Sequence, residues 1–190
     1  KRGPKHPFPG GPGARTIWGG SGPAGGCTLR CIMDGTPLRI AVVEDDVSYR
    51  ESLEMLFRHS EGVSLAASYG GALRACAAAE EAAADGAPCP WDLTLMDLEL
   101  PDLGGIEATR RLKAAFAETP VVVLTVFEEP STILEAICAG ADGYLLKKTP
   151  AGELLRQMRA VTGGGSPLTP EVARSVLDVT RQMKGPPSPL

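Results

Sequence analysis

Side chains that suit metal and phosphate chemistry follow several short apolar runs of this sequence. Glu44 and Asp45 come after the first run, Asp97 after the third, Thr125 after the fourth and Lys147 after the fifth. Carboxylates held close together cost free energy unless a cation or a proton lies between them. Mg²⁺ and Mn²⁺ prefer oxygen ligands, and a lysine with a hydroxyl can stabilise a transferring phosphoryl group. The residue types therefore predict a divalent-cation site that handles a phosphoryl group.

These side chains can meet only if the apolar runs form one parallel sheet. The predicted strands are Ile40–Val43, Val63–Ala67, Leu93–Met96, Val121–Leu124 and Gly143–Leu146. The predicted helices are Ser48–His59, Ala72–Ala84, Ile106–Phe116, Ser131–Ala139 and Gly152–Val161. Strongly apolar strands that alternate with helices indicate a parallel sheet covered on both faces. The fold class is therefore α/β, a doubly wound five-stranded parallel sheet, and ligands bind at the carboxyl ends of its strands.

The segment before the first strand has a different composition. Ten of residues 1–37 are Gly and six are Pro, a content that buries too little apolar surface to offset the ordering of the chain. We expect a disordered tail or an added extension there, with a natural start at Met33 as one hypothesis. The globular domain is then predicted over residues 38–163.

A further helix is predicted inside the C-terminal segment, residues 164–190. Thr169 is the candidate N-cap and Pro170 suits the first helical position. The pattern runs through Leu177 toward Met183, and a Gly- and Pro-rich stretch follows it. We expect a linker with one helix there.

Charge and cysteine content limit the functional classes. The formal net charge is −4, and residues 1–37 carry five basic side chains and one acidic one, a balance of +4 that leaves −8 for the rest. This composition gives no footprint for nucleic acid or an anionic membrane, and no apolar run approaches the ~18 residues of a membrane span. Scattered cysteines favour reduced thiols and a cytoplasmic location. They are Cys27, Cys31, Cys76, Cys89 and Cys138.

Four segments carry a resemblance to a known family. They are Ile40 to Asp46 (IAVVEDD), Leu95 to Pro101 (LMDLELP), Val123 to Thr125 (VLT) and Gly143 to Lys147 (GYLLK). Their order and their strand-end positions resemble the signature segments of response-regulator receiver domains, and the resemblance covers about residues 38–163. It implies a flavodoxin-like, CheY-like (βα)5 fold and a phosphorylated signalling switch.

The resemblance also implies a role for each matching residue. Asp97 corresponds to the phosphoacceptor, and Glu44 with Asp45 to the acidic pair that binds Mg²⁺, together with Asp97. The backbone carbonyl of Glu99 is the implied further metal ligand. Thr125 corresponds to the switch hydroxyl and Lys147 to the lysine that contacts the phosphoryl group. The third acid of the first cluster matches no role and is left out of the site.

Tyr144 corresponds to the aromatic that rotates in the switch. Because we expect it on a half-exposed strand, an alternative is that it only packs there. Two positions flank the attacking water in this family, and here they hold Glu99 and Phe127. With the bulky Val126 they predict slow hydrolysis of the acyl phosphate, although Glu99 could instead act as a base.

The sequence departs from the family pattern at several positions. Asp45 and Asp97 are 52 residues apart, longer than usual, and the surplus falls in Ala72–Trp91, which predicts an enlarged second helix and loop. Glu44 replaces the commoner Asp, which favours contact with the metal through water. Lys148 stands where many receivers have a proline, so a cis peptide bond after the lysine is not expected.

The C-terminal part resembles the NarL/FixJ branch of response regulators. That branch implies a sensor histidine kinase as phosphodonor, a homodimer after phosphorylation, and DNA binding only through a LuxR-type helix-turn-helix, which we expect to be absent from this chain; no membrane partner is implied. We expect a switch and not an enzyme. The alternatives are a natural single-domain or degenerate receiver that acts as an interaction module and, less favoured, a phosphatase of the haloacid dehalogenase type.

Overall fold

The computed structural model describes residues 36–162, 165–170, 172–174 and 176–177. Its five strands are β1 (Leu38–Val43), β2 (Val63–Tyr69), β3 (Leu93–Met96), β4 (Val121–Thr125) and β5 (Gly143–Leu146). Its helices are α1 (Val47–Arg58), α2 (Ala72–Ala84), α3 (Gly105–Ala115), α4 (Pro130–Cys138) and α5 (Ala151–Thr162). The predicted tail lies almost wholly outside these residues.

The strands form one parallel sheet in the order β2-β1-β3-β4-β5, which confirms the predicted fold class. Adjacent strands place their carboxyl ends at the same edge of the sheet. From β1 the chain adds β2 on one side and then β3, β4 and β5 on the other. The switch point therefore lies between β1 and β3, and ligands bind at such a point. The loops after β1, β3, β4 and β5 therefore meet at one edge.

Apolar side chains cover both faces of the sheet. One buried cluster joins the sheet to α1 and α5, and a second joins it to α2 and α3. A third cluster packs α4 against β4 and β5. β1, β3 and β4 are apolar on both sides because both of their faces are buried, as expected for a covered parallel sheet.

Several predicted boundaries were off by one to two residues. β1 begins at Leu38, two residues before the prediction, and its pairing with β2 contains an irregularity after Ile40. β2 extends to Tyr69 because its backbone continues to pair with β1 although its outer side chains are partly exposed. α1 begins at Val47 because the Asp46 side chain caps it by accepting a hydrogen bond from the Tyr49 amide.

The C-terminal segment packs against the edge strand β5. The Tyr144 amide donates to the Pro167 carbonyl over 2.9 Å, and Leu168 forms an isolated parallel bridge to Tyr144. Helical residues follow from Pro170, as predicted, and Val172 is buried in the third cluster. The Thr169 carbonyl accepts the first helical hydrogen bond, whereas its side-chain hydroxyl has no hydrogen-bond partner in the described part of the chain. The predicted extension toward Met183 lies outside the described residues.

Candidate functional site

The loop after β1 presents one buried and one exposed carboxylate. The Glu44 amide continues the sheet by donating to the Tyr69 carbonyl over 3.0 Å, which turns its side chain inward, where only 2% of the residue is exposed. Asp45 is exposed. Asp46 points away to cap α1, in agreement with its exclusion from the site.

Asp97 follows β3 directly and is also buried, with 4% exposure. Its amide donates to the Val43 carbonyl over 2.9 Å, and its Oδ1 accepts from the Leu98 amide over 2.7 Å. These two bonds fix both the backbone and the carboxylate. The start of α3 passes close by, because a Cβ on Gly105 would lie 2.0 Å from the Asp97 carbonyl oxygen. A glycine is therefore required at that position.

Lys147 joins the two buried carboxylates. Its Nζ lies 2.8 Å from both Glu44 oxygens and 2.9 Å from Asp97 Oδ2. Its amide donates to the Thr125 carbonyl over 2.8 Å, which anchors the residue to β4. No peptide bond is cis among the described residues, so the chain continues to Lys148 through a trans bond. Lys147 thus contacts both carboxylates without a following proline, and its contact with a phosphoryl group stays a prediction.

Burial and pairing oppose each other in the pKa values of this cluster. Burial raises the pKa of Glu44 above its usual 4.5, and the hydrogen bond from Lys147 offsets only part of that effect. Burial lowers the pKa of Lys147, but its bonds to Glu44 and Asp97 outweigh burial and leave that pKa above 10.5. Lys147 has two carboxylate partners, and both raise its pKa.

Thr125 presents an unpaired hydroxyl at the end of β4. The residue is fully buried, and its Oγ1 has no hydrogen-bond partner in the described part of the chain. A buried hydroxyl without a partner costs free energy, so a partner for the Thr125 hydroxyl is expected. A bound acceptor oxygen would satisfy it.

Tyr144 is fully buried, so the expectation of a half-exposed strand was wrong. The C-terminal segment covers β5, and Val172 packs into the same cluster as the tyrosine. The Tyr144 hydroxyl donates to the Phe127 carbonyl over 3.1 Å, and burial raises the pKa of the phenol. Tyr144 therefore lies in an inward position and holds the loop after β4.

The residues predicted to tune hydrolysis lie on two loops at this edge. Glu99 is exposed, and 62% of Val126 is exposed. Phe127 is half-buried and packs against the cluster that contains Tyr144. Their effect on an acyl phosphate stays a prediction, as does the metal contact of the Glu99 carbonyl.

Two residues of α1, Tyr49 and Arg50, contact the site but were not predicted from the sequence. Arg50 donates to the carbonyl oxygens of Glu44 over 2.5 Å and Asp45 over 3.3 Å, which fixes the loop after β1. Tyr49 contacts Lys147. Both residues stand in the first turn of the helix that follows the acidic pair, and that position is the signal by which they could have been found.

Three acidic side chains of the described residues could hold one metal ion. Glu44, Asp45 and Asp97 each offer a carboxylate oxygen, and these oxygens lie within 4.8 Å of one another. Two buried carboxylates and an exposed one, at the edge of the sheet, suit a hard divalent cation that keeps several waters. The donor set therefore fits Mg²⁺.

Residues 40–159 match the family model of the response regulator receiver domain. The chain belongs to this family. Receiver domains bind Mg²⁺ through acidic residues, and the acidic cluster described above lies at the corresponding edge. The resemblance of the four sequence segments is therefore confirmed at the level of family and fold.

Curated relatives include a transcriptional regulatory protein, YdfI, and a response regulator protein, VraR. YdfI of Bacillus subtilis is 28% identical over 141 residues, which cover 74% of this chain and 62% of that protein. VraR of Staphylococcus aureus is 38% identical over 96 residues, 50% of this chain and 46% of that protein. The chain thus spans less than two thirds of these relatives.

Solved structures share the fold. A LuxR-family two-component response regulator from Aurantimonas sp. superposes with a TM-score of 0.68 at 28% identity, covering 76% of this chain and 99% of the other. A CheY-like receiver domain protein from Methanospirillum hungatei gives a TM-score of 0.59 at 22% identity.

No described helix is long and apolar enough to cross a membrane.

Proposed function

We propose that this chain is the phosphorylated switch of a two-component response regulator, and that Asp97 accepts the phosphoryl group. The proposal rests on the two groups that lie around this buried carboxylate. It has an ammonium group, Lys147 Nζ, at 2.9 Å, and the next strand of the sheet, β4, ends in the unpaired buried hydroxyl of Thr125. A positive charge and a free donor beside a nucleophilic oxygen are what phosphoryl transfer requires.

The donor is the phosphohistidine of a sensor histidine kinase. A carboxylate oxygen of Asp97 forms the new O–P bond while the N–P bond of the phosphohistidine breaks, and the electron pair of that bond stays on the imidazole, which then takes a proton. Lys147 neutralises charge on the transferred group, and the Thr125 hydroxyl donates to one of its oxygens. The bond from the Leu98 amide keeps the carboxylate oriented.

Glu44, Asp45 and Asp97 hold a Mg²⁺ or Mn²⁺ ion, with the Glu99 carbonyl as a further ligand. Their three carboxylate oxygens within 4.8 Å support this assignment. A bound ion supplies positive charge to the phosphoryl oxygens. Asp45 is exposed and would bind the ion from the solvent side, whereas the Glu44 carboxylate is buried and bonded to Lys147.

The conformational change that follows phosphorylation passes from the site through β4 and β5. Thr125 moves toward the phosphoryl group, and this movement fixes Tyr144 in the inward position that its bond to the Phe127 carbonyl already favours. This repacks the α4–β5 face and shifts the population toward a homodimer. Transcription is controlled through a LuxR-type DNA-binding domain, as the relatives' descriptions suggest, with residues 38–163 as the receiver and 164–190 as linker and helix.

Treatment with a small phosphodonor such as acetyl phosphate tests this proposal. We expect intact mass to increase by one phosphoryl group in the presence of Mg²⁺, and not with a chelator or in Asp97→Asn. An unmodified parent chain would favour a degenerate receiver acting as an interaction module. Multiple turnover of a phosphate ester would favour a phosphatase.

A further inference from the structure

Lys147 needs a restraint that the following residue does not provide. It stands just after β5, and its side chain must reach across the site to two carboxylates. Its amide is bonded to the Thr125 carbonyl and its Nζ to Glu44 and Asp97, which leaves its backbone carbonyl and its aliphatic stem to be held by other atoms. A lysine side chain is long and has many rotamers, so its ammonium group is placed well only if other atoms hold it.

Tyr49 of α1 contacts Lys147 at two points. The phenol hydroxyl donates to the Lys147 carbonyl over 3.3 Å. The Lys147 Nζ lies 5.1 Å from the centre of the Tyr49 ring, within the distance at which a cation is attracted to an aromatic face. One side chain therefore restrains both the backbone and the ammonium group of the lysine.

Tyr49 is itself held in place. Its amide donates to the Asp46 side chain that caps α1, over 2.9 Å. Its ring is half-buried and packs against the cluster beneath α1 and α5. A restrained aromatic side chain can pass that restraint to the lysine, which a mobile one could not.

We infer that Tyr49 is a positioning residue for phosphorylation: it holds Lys147 so that the ammonium group meets the phosphoryl group on Asp97. This inference rests on the proposed function. No proline follows Lys147, and the restraint on this lysine comes instead from Tyr49, 98 positions earlier in the chain. Small misplacements of a catalytic group lower rates severely, so the effect should be measurable in the phosphorylation rate.

Two substitutions separate the contacts of Tyr49. Tyr49→Phe removes the hydroxyl bond and keeps the ring, and Tyr49→Leu removes both. We expect the rate of phosphorylation by acetyl phosphate with Mg²⁺ to fall about threefold in the first and about tenfold in the second. Tyr69 is the matched control, since its half-buried ring packs on Trp91, with 6.0 Å between ring centres, and Tyr69→Leu should stay within about twofold of the parent.

The same substitution in a Lys147→Ala background distinguishes positioning from general packing. If Tyr49 acts through Lys147, adding Tyr49→Leu to Lys147→Ala should lower the rate by less than about twofold. An equal loss in both backgrounds would overturn the inference. So would parent-like rates in Tyr49→Leu.

Hydrogen exchange tests the contact without phosphorylation. We expect the amides of residues 143–149 to exchange faster in Tyr49→Leu than in the parent or in Tyr69→Leu, because the Lys147 carbonyl loses its partner. Unchanged exchange there would contradict a restraint by Tyr49. A parent chain that fails to take up phosphate would instead count against the proposed function, so the two failures are distinguishable.

Discussion

Replacing Lys147 with methionine should destabilise the protein strongly when no divalent cation is present. The change keeps an apolar stem and removes the charge that bonds to Glu44 and Asp97. Both carboxylates are nearly inaccessible, with 2% and 4% exposure. Removing one partner of a buried ion pair typically costs about 3–5 kcal/mol, because the remaining charge is uncompensated.

The distances within the cluster agree with that range. The carboxylate oxygens of Glu44 and Asp97 lie within 4.8 Å, and with an effective dielectric constant of about 20 their repulsion is about 3.5 kcal/mol or more. In the parent chain Lys147 compensates this repulsion. We therefore expect Lys147→Met to lose about 3–5 kcal/mol of unfolding free energy at pH 7.

The loss should depend on pH and on Mg²⁺. The folded-state pKa of Glu44 already lies above 4.5 because of burial, and losing Lys147 removes an effect that lowers it. A carboxyl group whose pKa is raised by folding makes stability fall as pH rises from 4.5 through the folded pKa. The deficit of Lys147→Met should therefore shrink toward pH 4.5. A Mg²⁺ concentration of about 100 times the variant's Kd should raise the variant's own unfolding free energy by about 2.7 kcal/mol.

Urea denaturation followed by circular dichroism measures these differences. Lys148→Met is the control, because that lysine forms an ion pair with Glu128 over 2.6 Å in which both side chains are more than half exposed. It should cost less than about 1 kcal/mol, and because its acidic cluster is intact it should gain stability from Mg²⁺ as the parent does. If Lys147→Met and Lys148→Met lose the same small amount, the buried-charge explanation is wrong.

Three further predictions concern the metal, the acyl phosphate and the packing. Asp45→Ala should abolish Mg²⁺ binding in calorimetry while Glu44→Ala only weakens it, because we expect Asp45 to ligate directly and Glu44 through water; equal losses would refute that division. The acyl phosphate of the parent should hydrolyse slowly, and its hydrolysis should be faster in Glu99→Ala and Phe127→Ala. A tenfold slower hydrolysis in Glu99→Ala, worth about 1.4 kcal/mol, would instead show that Glu99 assists the water. Gly105→Ala should lower the unfolding free energy by about 1–3 kcal/mol or more, since its Cβ would lie 2.0 Å from a backbone carbonyl oxygen; a parent-like urea midpoint would contradict this.

The sheet and the acidic edge could be predicted because both follow from short-range patterns. Apolar strands alternating with helices determine a covered parallel sheet, and residues at strand ends then share an edge. Asp97 and Lys147 were paired in this way although 50 residues separate them. The four sequence segments located both without any knowledge of side-chain geometry.

Contacts between loops and helices could not be predicted. The Tyr49 side chain meets Lys147 only because α1 and α5 pack on the same face of the sheet and Lys147 lies between β5 and α5; no local pattern encodes that distance. The burial of Tyr144 depends on Pro167 and Leu168, which lie in a Gly- and Pro-rich stretch that is typical of a linker. Asp102 bonds to the amides of Ala72 and Leu73 at the start of α2, thirty and twenty-nine positions away.

The position of the phosphoryl group tests the central claim most directly. After treatment with acetyl phosphate and Mg²⁺, borohydride reduces an aspartyl phosphate to homoserine, and peptide mass spectrometry then identifies the modified residue. We predict homoserine at position 97 and a parent residue at every other Asp and Glu. Modification at Asp45 or Glu99 instead, or persistent phosphorylation of Asp97→Asn, would contradict the assignment of Asp97 as the phosphoacceptor.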